Sequence, residues 1–195
     1  MAKIPKTKNQ KMTRHLPNYL TVFRILLVPV FLYFLFLSAI PARIIIALLI
    51  FIIAAITDYL DGMLARKMNL ISDFGKLMDP LADKLIVLSA LAGLCWLPPF
   101  QISIAVFFII LARELVITIL REVYQKKGIV VAADIFGKLK TVLQMAGIIV
   151  AFAFWAFISS VPQPIILIIN IWFWFVALIT VLSGLNYIIT IAKKD

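Results

Sequence analysis

One cysteine and one histidine in 195 residues leave little room for thiol or imidazole chemistry. Cys95 has no second cysteine to pair with and sits inside an apolar run, where it reads as a small buried hydrophobe. His15 lies in a basic tail and is expected to be solvated or to touch lipid headgroups. No Gly-rich phosphate loop ending in Gly-Lys-Ser/Thr is present, so ATP is not implied. The apolar stretches are continuous rather than alternating, which excludes a β-barrel. Acids are scarce: nine Asp and Glu stand against nineteen Lys and Arg, for a formal net charge of +10. In a soluble chain that excess would point to nucleic acid. Here the cations lie between apolar runs with no groove-reading element beside them. Membrane topology and anionic lipid are the simpler explanation, and no nucleic-acid partner is expected.

Apolar residues are abundant. They make up 64% of the chain, more than a soluble domain of this length can hide. Six apolar segments fall at about residues 17–40, 44–64, 77–98, 100–124, 139–160 and 165–191. Each has about the 20 residues needed to cross roughly 30 Å of hydrocarbon. Pro41, the Pro98-Pro99 pair, Pro162 and Pro164 punctuate them. The expectation is an all-α integral membrane protein. A basic cytoplasmic tail would cover residues 1–16 and a six-helix membrane catalytic domain residues 17–195. The first apolar stretch, Asn18–Ile40, is too long for a signal-peptide core and is followed by no clean cleavage site, so it reads as a retained span.

Charge orients the spans. Lys3, Lys6, Lys8, Lys11 and Arg14 precede the first, and Arg66, Lys67 and Lys76 lie between the second and third. Arg121, Lys126, Lys127, Lys138 and Lys140 surround the fourth-to-fifth connection, and Lys193 and Lys194 follow the sixth. The opposite turns carry only Arg43. Positive residues stay on the cytoplasmic side, so both termini are expected there. All nine acids fall in the same half, and the chemistry is therefore expected to open toward the cytoplasm.

Four of those acids form a pattern: Asp58-x2-Asp61-Gly62-x2-Ala65-Arg66-x8-Gly75-x3-Asp79-x3-Asp83. Acidic side chains beside a bilayer are costly, which makes a cluster of them a functional feature by default. Asp58 and Asp61 are three apart at the end of the second span; Asp79 and Asp83 are four apart at the start of the third. Both intervals put a pair on one helical face. A short connection lets the two faces close on each other. Four converging carboxylates need cations, and a hard, oxygen-preferring Mg²⁺ pair suits them, with Mn²⁺ as an alternative. Two such ions can clamp a diphosphate. Gly62, Ala65 and Gly75 are small enough for a ligand to approach the backbone, and Arg66 adds a fixed positive charge. Asp73 is expected in the loop, off both faces.

All eight positions match the signature of the CDP-alcohol phosphotransferase family, which the chain resembles across its six-span layout. The resemblance implies transfer of a phosphatidyl or substituted phosphoryl group from a CDP-linked donor to an alcohol, with release of CMP. It implies an active site on the cytoplasmic side between helices 2 and 3. Carried over residue by residue, Asp58, Asp61 and Asp79 become metal ligands and Asp83 a ligand or the general base. Gly62, Ala65, Arg66 and Gly75 fall on the CDP site. A homodimer in a bacterial cytoplasmic membrane is implied by the resemblance alone.

The signature does not choose the acceptor. The segments 16–24 (LPNYLTVFR), 78–84 (MDPLADK), 112–114 (ARE) with Arg121, and 137–141 (GKLKT) resemble the bacterial phosphatidylglycerophosphate synthases within the family. That resemblance implies CDP-diacylglycerol as donor and glycerol 3-phosphate as acceptor. An anionic acceptor needs cations, and Arg113, Arg121, Lys138 and Lys140 are the candidates for its phosphate. Lys138 and Lys140 also read as topology anchors, and Arg113 beside Glu114 as a buried ion pair. Arg24 shares that ambiguity. Inositol phosphate, serine or phosphatidylglycerol remain alternative acceptors. A divalent-cation transporter is the alternative from another class, although transport sites lie near the midplane with access from both sides. The aromatic residues of spans five and six (Phe152, Phe154, Trp155, Phe157, Trp172, Phe173, Trp174 and Phe175) are expected to face lipid or to act as interface anchors.

Overall fold

Helices account for nearly all of the regular structure. The computed structural model describes residues 22–68, 73–127 and 135–193; at 61, 62, 64–68 and 73–83 the description extends to the backbone only. Among the described residues six helices follow one another: α1 (Val22–Leu37), α2 (Arg43–Met68), α3 (Asp73–Trp96), α4 (Ile104–Lys126), α5 (Ile135–Phe157) and α6 (Gln163–Ala192). No strand occurs among the described residues. The chain divides into two compact units, residues 1–89 and 90–195.

In the first unit α1 ends in a π turn over Tyr33–Leu37, closed by the Ser38 N–H donating to the Tyr33 carbonyl at 2.9 Å. A helix end leaves carbonyls without partners. One of them, Leu35 O, accepts from Nη1 of Arg43 at 2.7 Å. The only cation expected in the far-side turns therefore ties the end of α1 to the start of α2. Phe31 and Leu35 of α1 are buried with Ala47, Phe51 and Ala54 of α2. The Phe31 and Phe51 rings stand 6.4 Å apart.

In the second unit the last turns of α3 bury Ala90, Leu91, Leu94 and Cys95, as the apolar setting of that cysteine predicts. The turn after α3 folds back so that the Ile102 N–H reaches Leu94 O at 2.9 Å. Asn170 of α6 donates to Phe100 O at 3.2 Å, satisfying a carbonyl that no helix uses. α6 packs against both α4 and α5. Its inward face is Phe173, Val176, Ala177, Thr180, Ser183, Gly184, Tyr187 and Ile191, at intervals of three and four. Leu167, Ile168, Ile171, Trp174, Phe175 and Leu178 point outward, so α6 is apolar all round, as a membrane span is. Gly147 of α5 lets the two helices close: a Cβ there would lie 2.5 Å from Nε1 of Trp172. That indole instead donates to Leu143 O at 3.1 Å.

The six apolar segments each become a helix, with shifted ends. α3 begins at Asp73, not in a loop beyond it; an acid in the first turn is favoured by the partial positive charge of a helix N-terminus. α5 begins at Ile135, so Lys138 and Lys140 sit on a helix. Among the described residues, three helices are long and apolar enough to cross a membrane: α2 over Arg43–Leu60, α5 and α6. α1 and the Lys84–Trp96 part of α3 are shorter apolar helices. The aromatic expectation needs correction at Phe152 and Phe173, which are fully buried between helices, and at Trp172, which is half-buried and hydrogen-bonded. Helical periodicity sends one aromatic in every three or four inward whatever the solvent outside. Phe157, Trp174 and Phe175 are exposed as expected.

Candidate active site

The aspartate pattern lies on two helices. Asp58, Asp61, Gly62, Ala65 and Arg66 belong to the last turns of α2, and Gly75, Asp79 and Asp83 to the first turns of α3. The intervals of three and four thus fall on continuous helix. Of the four carboxylates, the described side chain is that of Asp58; those of Asp61, Asp79 and Asp83, with Arg66, lie outside the described side chains.

Asp58 is held by a residue from another helix of its unit. Nη1 of Arg24, on α1, stands 2.9 Å from Oδ1 of Asp58. The Arg24 side chain is 1% exposed and that of Asp58 48%, so the guanidinium is a buried anchor under a half-exposed carboxylate. A buried cation is stable only beside an anion, and Asp58 supplies one. Arg24 was an ambiguous cation in the sequence, because nothing in its own segment shows that α1 brings it to the first aspartate of the pattern. Among the described residues, no group of three or more His, Cys, Asp or Glu is gathered to hold a metal ion. The donor chemistry of the pattern, carboxylate oxygen at every candidate position, fits Mg²⁺ or Mn²⁺ and not a thiophilic metal.

A second charged cluster lies in the second unit. Arg113 and Glu114 on α4 meet Lys140 on α5 and Ser183 on α6. Nζ of Lys140 donates to Oε1 of Glu114, which also faces Nη1 of Arg113 at 3.5 Å. The side chains are 6%, 12% and 14% exposed for Lys140, Glu114 and Arg113. Nη2 of Arg113 donates to Oγ of Ser183 at 2.8 Å. Two cations and a carboxylate are therefore held together by three helices. Arg113 makes the ion pair with its neighbour Glu114 that the sequence offered as the alternative to phosphate binding.

Lys138 and Arg121 stand differently. Lys138 is exposed, two residues from Lys140 and so about 200° around the helix. Arg121 is exposed and its guanidinium carbon lies 5.8 Å from the ring centroid of Tyr187. That is a cation–π contact with α6. Ser183 and Gly184 were not singled out from the sequence. Their signal was the run of small and polar residues at 180, 183 and 184 in an otherwise bulky span, which marks the face of α6 that meets other helices.

The model of the CDP-alcohol phosphatidyltransferase family matches residues 14–191. The chain belongs to that family. A Bacillus subtilis (strain 168) relative named CDP-diacylglycerol--glycerol-3-phosphate 3-phosphatidyltransferase is 40% identical over 139 residues, covering 65% of this chain and 70% of that one. A Rickettsia bellii (strain RML369-C) protein of the same name is 40% identical over 131 residues, 67% of this chain and 71% of the relative. A probable phosphatidylglycerophosphate synthase of Mycobacterium tuberculosis (strain ATCC 25618 / H37Rv) is 43% identical over 129 residues, 65% of this chain and 60% of that protein. Membership of a transferase family leaves the cation-transport alternative without support.

Proposed function

We propose that the chain transfers the phosphatidyl group of CDP-diacylglycerol to glycerol 3-phosphate, giving phosphatidylglycerophosphate and CMP. The observation that carries this reading is 40% identity, over about two thirds of the chain, to relatives named for that reaction, in a chain that holds the full eight-position signature on α2 and α3.

In this reading Asp58, Asp61, Asp79 and Asp83 would hold divalent metal, two Mg²⁺ ions or Mn²⁺ in their place, which when bound would supply charge neutralisation for the diphosphate and the departing phosphate. Gly62, Ala65, Arg66 and Gly75 form the CDP site. Arg24 orients Asp58. Asp83 accepts the proton of the acceptor hydroxyl as its oxygen bonds to the phosphatidyl phosphorus. The phosphorus–oxygen bond to the cytidylyl phosphate breaks, and CMP leaves with that bond's electron pair. Arg113 and Lys140 bind the phosphate of the acceptor, which does not react, with the exposed Arg121 and Lys138 drawing the anion in. Hydrocarbon helices let the acyl chains of donor and product stay in the bilayer.

The same reading places a six-span catalytic domain, residues 17–195, in a bacterial cytoplasmic membrane. The site opens on the cytoplasmic side with both termini, the basic tail of residues 1–16 meets anionic headgroups, and the protein works as a homodimer. Support comes from the one-sided charge distribution and the apolar outer face of α6.

Purified protein in lipid–detergent micelles with CDP-diacylglycerol and Mg²⁺ is expected to release CMP only when glycerol 3-phosphate is added. Inositol phosphate, serine and phosphatidylglycerol should give no more than background; faster turnover with any of them would reassign the acceptor. Asp83→Asn should lower turnover about a hundredfold or more, the usual contribution of a positioned base. Undiminished turnover in that variant would remove Asp83 from its role.

A further inference from the structure

Arginine recognises phosphate well only when its planar fork is presented at the right angle, and its long side chain does not hold an angle unaided. Arg113 is constrained from α6. Its Nη2 donates to Oγ of Ser183 at 2.8 Å, and Ser183 is fully buried. Its stem lies over the next residue, Gly184, where a Cβ would come within 3.3 Å of Cγ and 4.0 Å of Nε. Two other hydroxyls of α6 turn back on their own helix: Thr180 donates to Val176 O at 2.7 Å and Thr190 to Asn186 O at 2.8 Å. The Ser183 oxygen instead accepts from a different helix.

We infer that Ser183 and Gly184 form a positioning element for acceptor selection: the hydroxyl orients the Arg113 guanidinium, and the missing side chain lets its stem lie flat. This rests on the reading of Arg113 as a ligand of the acceptor phosphate. The chemistry of Ser183 suits the task. A hydroxyl is a neutral acceptor, so it fixes the fork without cancelling the positive charge that an anion must meet. A carboxylate at the same place would compete with the phosphate. Glu114 already fills the anionic role on the other side, where it is shared with Lys140.

The experiment is a double-mutant cycle read as separate KM and kcat values. Ser183→Ala removes one buried oxygen and substitutes a better helix former, so the fold is retained. It is expected to raise the KM for glycerol 3-phosphate about tenfold, the effect of disturbing one hydrogen bond to a charged group. The KM for CDP-diacylglycerol and kcat should stay within about twofold. In an Arg113→Lys background, which keeps the charge and removes the fork, Ser183→Ala should have no further effect. Gly184→Ala, which crowds the stem without touching the hydroxyl, should raise the same KM by a smaller factor. It carries the same cycle if Ser183→Ala is not recovered folded.

The failures separate. If Arg113→Lys raises the acceptor KM and neither α6 variant does, the positioning inference is overturned and the acceptor site stands. An unchanged acceptor KM in Arg113→Lys overturns the acceptor site and this inference with it. If Ser183→Ala raises both KM values, or acts equally in the Arg113→Lys background, the serine is a packing residue and the inference is wrong.

Discussion

Arg24 and Lys140 illustrate how one residue's worth depends on its partner's exposure. Arg24 is buried, but Asp58 is half exposed, so solvent screens the pair and its net contribution to stability is at most about 1 kcal/mol. The buried stem matters more. Arg24→Met, which keeps the stem, is therefore expected to hold its unfolding midpoint within a few degrees while CMP release falls at least tenfold. Thermal unfolding in detergent alongside a CMP assay checks both, and retained turnover would detach Arg24 from the aspartate site. Lys140 is the opposite case: it is buried and the Glu114 side chain is only 12% exposed. Removing one partner of a buried pair costs about 3 kcal/mol, because the other charge is left in a poor environment. Lys140→Met should lower the unfolding midpoint and raise the acceptor KM. Lys138→Ala, at an exposed position, should cost no more than about 0.5 kcal/mol. Equal effects from the two lysines would contradict the burial difference between them. The sequence showed both as basic residues near a connection; only the helix start at Ile135 put them on different faces.

At the scale of elements, α5 and α6 are held close by the absence of a side chain. A Cβ at Gly147 would strike the Trp172 indole at 2.5 Å, and the indole is a rigid plate already tied to Leu143 O. Gly147→Ala is expected to destabilise by about 1–3 kcal/mol through overpacking. Trp172→Phe, which removes the offending nitrogen, should partly rescue it in the double variant. Unfolding midpoints of the two single variants and the double variant test this, and simple additivity would mean that the two residues do not meet. The existence of these helices was legible from run length alone. Their partners were not, because Gly147 and Gly184 look alike in sequence while one faces an indole and the other an arginine stem.

At the scale of the whole molecule, large apolar residues are exposed as well as buried among the described residues, a distribution suited to lipid. Among the described residues three helices meet the length and hydropathy of a span by themselves, whereas α4 is interrupted by Arg113 and Glu114. Topology can be read with single cysteines, since the native Cys95 is buried and gives little background labelling. In intact cells an impermeant maleimide should label cysteines introduced at Pro41 and Ser160. Positions Lys126 and Lys193 should react only after permeabilisation. The reverse pattern would invert the proposed orientation.

What the sequence determined by itself is what depends on length, periodicity and residue type. Apolar runs specify helices, the one-sided cations suggest the proposed orientation, and the four aspartates at intervals of three, four and more specify the chemistry to look for. These are properties of short segments, and they need no knowledge of what lies opposite. Tertiary structure decided which groups meet. It brought Arg24 to Asp58 across 34 residues, and Arg113 to Ser183 across 70. It also divided two lysines that differ by two positions. Those pairings depend on helix rotation and close approach, which are set by the packing of whole helices and leave no local mark on either partner.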